Sequence, residues 1–320
     1  MASVLNEPYF HDEAAAFKRL EAIVWPEGPT CPHCGATDRI GRLEGVRSKA
    51  SKKNPQGVVR HGLHKCYHCK GQFTARKGTV FESSHLELRQ WLQAAYLMCS
   101  SKKGVSSNQL ARTLGITVKS AWFASHRLRE AMREGSLSPL GGEGKIVEAD
   151  ETYIGRLTGV PKARRGGYHK NMVLTLVERG GRARSFHVEG KAIRDIMPVV
   201  RQNVARESRV NTDEAKHYYD VGKEYAAHET VNHSLEEYAR REGDRLVTTN
   251  TVEGFYSIFK RGMKGIYQHC DEKHLHRYLA EFDFRYNNRI RLGVNDVGRT
   301  VAALKGAVGK RLLYRDSSAR

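Results

Sequence analysis

The period of the apolar positions changes near residue 145. Upstream, LELRQWLQAAYLMC places Leu86, Trp91, Ala94, Ala95 and Met98 at helical spacing. The next stretch, VSSNQLARTLGITVKSAWFASHRLREAMRE, divides into two helices. Ser106 or Ser107 caps the first, Ala111 and Leu114 point inward, and Gly115-Ile116-Thr117 makes a tight turn. The second runs over 118–134 and bears Lys119, Ser120, His126, Arg127 and Arg129. A small residue four before a glycine, then a second helix, is the pattern of a helix-turn-helix; an ordinary helical hairpin between domains carries the same signature. SLSPLGGEGK reads as a linker. Beyond it, KIVEADETYIG, NMVLTLVER and ARSFHVEG read as a strand meander. KAIRDIMPVVRQNVAR has Ile193, Ile196, Val199 and Val200 on one face of a helix. SRVNTDEA and HETVNH read as short strands, and TNTVEGFYSIFKRGMKGIY as a helix. That order predicts a mixed sheet covered by helices, in a multidomain chain of α+β or α/β class.

Charge narrows the partners. Lys and Arg number 54 against 35 Asp and Glu, a formal net charge of +19, which points to an anionic polymer. A solubilising surface charge is the plainer explanation. The 320 residues leave room for two or three domains. No apolar run approaches the ~20 residues that span a bilayer, and MASVLNEPYFHDEAAAFKRL is acidic where a secretion signal is basic. The expectation is a cytoplasmic, nucleoid-associated protein with no membrane partner.

Four of the six cysteines form two pairs, Cys31-Pro-His-Cys34 and Cys66-Tyr-His-Cys69, with 31 residues between them. Two such knuckles supply the four thiolates that one structural zinc takes in tetrahedral geometry. His33, His64 and His68 are nearby rival ligands, while Cys99 and Cys270 stand alone as packing residues. The insert GRLEGVRSKASKKNPQGVVRHGLHK is rich in cations and glycine and reads as a mobile basic loop suited to DNA phosphates, or simply as a solvated one.

Three acids in separate settings are the candidate chemistry: Asp150 in KIVEADETYIG, Asp213 in SRVNTDEAKHYY and Glu253 in TTNTVEGFYSIFKRG. Gathered by a fold, they would hold divalent metal. Strand alternation sends Glu151 away from the face of Asp150 and leaves Glu148 on that face, about 7 Å along the strand, as a neighbour. Glu214, beside Asp213, is excluded less firmly. Lys260 lies two helical turns after Glu253 and so can reach a phosphate; Arg261 and Lys264 do the same or are merely solvated.

VEADETYIG, NTDEAKHY, NTVEGFYSIFKRG and YLAEFDFRYNNR, behind the two CxxC pairs, resemble the insertion-sequence transposases that carry a zinc ribbon ahead of a DDE integrase domain. The resemblance covers nearly the whole chain and implies an RNase H-like catalytic fold of the retroviral integrase superfamily. It implies that Asp150, Asp213 and Glu253 bind two Mg2+ (or Mn2+) ions. The 40 positions between Asp213 and Glu253 suit that family. Asn250, on the same helical side as Glu253, is the alternative third ligand. The implied reaction is cleavage at the element's ends followed by attack of the freed 3′-hydroxyl on target DNA. Double-stranded DNA, both ends and target, is then the partner, bound by Lys119, Ser120, Arg127, Lys260, Arg261 and Lys264, with a homo-oligomer assembled on it. The expected layout is a zinc ribbon with N-terminal helix and basic insert over 1–84 and a helix-turn-helix-like segment over 85–140. The catalytic domain follows over 141–305, and a basic tail over 306–320. Two other classes remain open: a zinc-ribbon transcription regulator, which has no use for the acids, and an RNase H-like nuclease that never joins strands.

Overall fold

A computed structural model describes residues 3–52, 54–135, 138–162, 167–190, 192–215, 218, 221–243 and 245–313. Part of the basic tail, 314–320, and Lys53 of the basic insert lie outside the described residues. The chain divides into two compact units, one of 1–101, 105–132 and 296–320, the other of 102–104 and 133–295.

The first unit begins with α1 (Glu13–Val24), whose N-cap Asp12 accepts the amide of Ala15 at 2.7 Å. Strands β1 (Ile40–Leu43), β2 (Leu63–Cys66) and β3 (Gln72–Phe73) form an antiparallel sheet in that order. Between β1 and β2 the basic insert folds back on itself. Ser48 N donates to Val58 O at 2.8 Å and Arg60 N to Val46 O at 2.8 Å, while Arg47 donates to the carbonyls of Gln56 and Gly57. The expected loop is thus a narrow hairpin, closed where Gly57 has φ +68° and a Cβ would lie 2.1 Å from Ser48 O. Helix α2 (Leu88–Ser100) buries Trp91, Ala94, Ala95 and Met98, the residues its periodicity selects. Helices α3 (Ser107–Leu114) and α4 (Val118–Met132) are joined through Gly115, left-handed at φ +64°. Ser106 is the cap of α3, accepting Gln109 N at 3.1 Å. Helix α8 (Asp296–Lys305) packs on α1, α2 and α4; just beyond it Gly306 allows close approach, since a Cβ there would lie 2.4 Å from Ala131 O.

The second unit is a five-stranded sheet of order β6-β5-β4-β7-β8. Its strands are β4 (Ile146–Ile154), β5 (Asn171–Glu178), β6 (Ala183–Val188), β7 (Arg209–Thr212) and β8 (Ala227–Thr230). The first three are antiparallel neighbours; β7 runs parallel to β4, and β8 parallel to β7. Helix α5 (Ile193–Asn203) crosses from β6 to β7 and covers one face with Ile196, Met197 and Val200 against Val147, Leu174, Leu176 and Val210. On the other face α6 (Asn250–Gly262) and α7 (Leu275–Asn287) bring Val252, Phe255, Phe259 and Phe282 onto Val173 and Val177. Coverage on both sides explains why β5 reads as an unbroken apolar run. A two-stranded hairpin, β9 (Ala239–Glu242) with β10 (Arg245–Thr248), leads into α6.

Candidate active site and metal centres

In the first unit the two CxxC pairs meet. Cys31 Sγ lies 3.6 Å from Cys69 Sγ and Cys34 Sγ 3.7 Å from Cys66 Sγ, with all four sulfurs within 4.8 Å of one another. A tetrahedron with Zn–S near ~2.3 Å has edges of ~3.8 Å, so these separations fit zinc and exclude a disulfide at ~2.05 Å. The backbone amides of Cys69 and His68 draw the Cys66 thiol down to about 6, while desolvation and the neighbouring sulfurs push Cys34 up to about 12, so without metal the cluster shares its protons unequally. Two of the three nearby histidines are engaged elsewhere: His68 Nε2 meets Asp38 at 3.0 Å, and His64 Nδ1 meets Gly62 O at 3.1 Å and stacks on Phe73. Cys99 is buried in α2, and Cys270 packs at the edge of the α6–α7 core.

In the second unit strand register does the gathering. Parallel pairing sets Ile146 opposite Arg209, Val147 opposite Val210 and Glu148 opposite Asn211. The ladder ends there, two residues short of Asp150 on β4 and of Asp213 just past β7, so it directs the two acids toward the same end of the strand pair. Asp150 shares the face of Glu148, the side covered by α6, while Glu151 turns to the α5 side and accepts the hydroxyl of buried Tyr218. Asp150 Oδ1 accepts the amide of Glu151 at 2.7 Å and Asp213 Oδ1 that of Ala215 at 3.0 Å. Glu253, on the first turns of α6, accepts Thr249 Oγ1 at 2.8 Å, and its Oε1 lies 3.6 Å from His233 Nε2. Asp150 senses the acids around it. Burial, then the charges of Glu151, Asp213 and Glu253, push the Asp150 carboxyl from its ordinary 3.8 to about 7. They are not drawn together as tightly as the cysteines, which among the described residues form the compact metal-ligating cluster. Asn250 is exposed at the start of α6 and lines a groove with Arg179 and Arg289, whereas Glu253 turns toward His233.

Residues 139–287 match the ISXO2-like transposase domain and residues 11–72 the transposase zinc-ribbon domain, together about two thirds of the chain. The chain belongs to the zinc-ribbon DDE transposases of insertion sequences. A protein of Halobacterium salinarum, described as an uncharacterized protein in transposable element ISH50, is 26% identical over 298 residues, spanning 86% of this transposase and 91% of that relative.

The candidate DNA contacts of the transposase are differently placed. Lys119 is exposed at the start of α4, and Ser120 Oγ meets Thr117 Oγ1 at 2.9 Å. Arg127 is buried, donating to Glu82 O at 2.9 Å and Leu312 O at 3.1 Å. Lys260 and Arg261 on α6, and Lys264 on the helical turn Met263–Tyr267 that follows it, are exposed; Lys260 Nζ lies 5.6 Å from the Tyr256 ring centroid, and Arg261 donates back to Ser257. No helix among the described residues is long and apolar enough to cross a membrane.

Sequence reasoning under-read three residues. Glu148 is fully buried and holds the start of α6: Oε2 accepts Thr251 N at 2.8 Å and Val252 N at 3.0 Å, and Oε1 accepts Thr251 Oγ1 at 2.8 Å and Arg179 Nε at 2.6 Å. Arg179 in turn donates to Leu246 O and Thr248 O, so one buried ion pair ties β4, β10 and α6 together. Glu214 accepts His233 N at 3.0 Å and Ser234 Oγ at 2.7 Å, contacts that hold its carboxyl down at about 2 and commit it to a turn. His233, next to Glu253, gave no signal beyond being a histidine after a short strand. For Glu148 the signal was available: a carboxylate inside a fully buried strand demands partners.

Proposed function

We propose that this transposase cleaves element ends and joins them to target DNA by metal-assisted phosphoryl transfer, on a site built from Asp150, Asp213 and Glu253. The observation that carries this reading is the transposase-domain match over residues 139–287, which contains all three acids; beside it, burial and then the charges of Glu151, Asp213 and Glu253 raise the Asp150 carboxyl to about 7. Negative charge concentrated at a half-buried site is what a divalent cation relieves, and the all-oxygen donor set suits Mg2+ or Mn2+. An acid in the first strand of the sheet, another just past the fourth and a third on a later helix support the RNase H-like assignment. When bound, such ions activate the attacking oxygen and neutralise charge on the leaving 3′-oxygen.

The chain's own groups do the positioning. Parallel pairing of β4 with β7 runs toward Asp150 and Asp213, which supports their sharing one site, and the Glu148–Arg179 pair fixes the helix that presents Glu253. Tyr256 strengthens that placement, its one hydroxyl proton lying between two carbonyl acceptors, Asp150 O at 2.6 Å and Val173 O at 3.0 Å. Glu253 rather than Asn250 is the third ligand in this reading, because its charge reaches Asp150. Lys260, two turns on along α6, meets the phosphate beyond the acids. Paired element ends call for at least two copies on the DNA.

The test is a Mg2+-dependent assay with oligonucleotides bearing the element's inverted ends. Wild-type protein is expected to nick and join them, and Asp150→Asn to lose both while still binding DNA. Joining at normal rate by Asp150→Asn removes this site from the reaction; nicking without joining by wild type makes the protein a nuclease.

A further inference from the structure

Helix α6 has a second functional face. Turned from the contacts of Glu253, its first turns floor an open groove of about 450 Å3, walled by Arg179 of the β5–β6 turn and by Arg289 and Arg291 past the end of α7. Three guanidinium groups line it, and no carboxylate does among the described residues. Arg179 supplies charge only, since it is engaged by Glu148 and two carbonyls. Arg289 lies 3.9 Å over the Tyr286 ring and is steadied by the carbonyls of Gly181 and Tyr286. Arg291 is exposed on the short turn Ile290–Leu292. The amides at the start of α6 are already taken by Glu148, so the attraction for an anion comes from the arginines and not from the helix end.

Gly254 adds an independent observation. Glycine inside a helix is destabilising and asks for a reason. At Gly262 the reason is internal: a Cβ would lie 2.5 Å from Phe282 Cζ and 2.6 Å from Lys103 O. At Gly254, exposed on the groove floor, a Cβ would meet nothing within 4 Å. Nothing inside the protein accounts for it. A bare helix surface between arginines is instead what a ligand's backbone needs in order to lie close.

We infer that this groove takes the sugar-phosphate backbone of DNA, with phosphates at Arg289 and Arg291 and the strand resting on the helix at Gly254. The contact reads no base sequence, and it is a binding surface separate from the carboxylate face. It rests on the DNA-acting reading above and adds a second line of grip along the helix that carries Glu253.

The experiment measures binding of the zinc-loaded full chain to a fluorescent DNA duplex of mixed sequence over a salt series, without divalent metal, beside end cleavage with Mg2+. Arg291→Glu is expected to weaken binding about tenfold near ~0.1 M salt and to lower the salt slope by about 1, the loss of one phosphate contact. Gly254→Leu is expected to raise the thermal midpoint by about 2–4 °C, as loss of a helix glycine does, and yet to weaken binding. Opposite movement of stability and affinity is something a purely structural glycine does not produce. Unchanged affinity and slope in both variants overturns the groove while wild-type cleavage leaves the proposed function standing. A wild-type chain that neither binds nor cleaves DNA overturns both.

Discussion

Replacing Asp150 with Asn should make the metal-free protein more stable, and only above a definite pH. The carboxyl is raised from 3.8 to about 7 by burial and by Glu151, Asp213 and Glu253. Between roughly pH 4 and 7 the folded chain therefore keeps a proton that the unfolded chain has released. Stability is complete below that window, falls as pH rises through it, and is lower by about 4 kcal/mol above it, at 1.36 kcal/mol for each tenfold change in acidity. Asparagine keeps the shape and cannot ionise. At pH ~8 metal-free Asp150→Asn should gain about 2–4 kcal/mol over wild type, and at pH ~4 the two should agree within about 0.5 kcal/mol. Asp283, buried against Ser185 and also raised to about 7, slopes the wild-type curve in the same direction. Being present in both proteins, it cancels in the difference. Urea unfolding followed by circular dichroism is the suitable assay, because Trp25, Trp91 and Trp122 all lie in the first unit and their fluorescence is blind to the second. Equal or lower stability of Asp150→Asn at pH ~8 would refute the electrostatic account of the site.

Three further outcomes follow from the same contacts. Glu148→Ala leaves Arg179 without its carboxylate and the first amides of α6 uncapped, so unfolding of the second unit should cost about 3–5 kcal/mol less, checked by the shift in urea midpoint. Tyr256→Phe removes the buried hydroxyl donor shared by Asp150 O and Val173 O and should cost about 1–3 kcal/mol with cleavage reduced; a neutral effect on both would dissociate this hydroxyl from the strand carrying Asp150. Elemental analysis should find one zinc per chain, and Cys66→Ser or strong chelation should remove it and unfold 25–75 while the circular dichroism of the five-stranded sheet persists; a ribbon that stays folded without metal contradicts the assignment.

How far the fold could be read depended on where burial was one-sided or complete. KIVEADETYIG and NMVLTLVER declared themselves as strands because both faces of β5, and alternate positions of β4, are pressed against helices. The hairpin β9–β10 left no such trace: its residues alternate only between exposed and half-buried until Val247 and Thr248, so no apolar rhythm was written into ARREGDRLVT. Bringing the ends of β4 and β7, with Asp150 and Asp213, to one end of the sheet needed their parallel pairing, which depends on the crossover through α5 and not on any local signal. The cysteine cluster needed no such information, since spacing alone dictates a four-thiol knot. Arg127 illustrates the converse: its charge suggested an outward role, but a guanidinium can equally be spent on carbonyls inside a helical unit, and no one-dimensional pattern distinguishes the two.

The first compact unit is assembled from both ends of the chain, with 133–295 threaded in between. Cutting after Met132 would therefore not release a working N-terminal fragment: it would strip away α8 and bare the apolar surface that Ala303 and Leu304 cover. A splice that reconnects Met132 to Asp296 through a short glycine-serine bridge is the rational way to excise the sheet, since closing a loop grows costlier only slowly with its length.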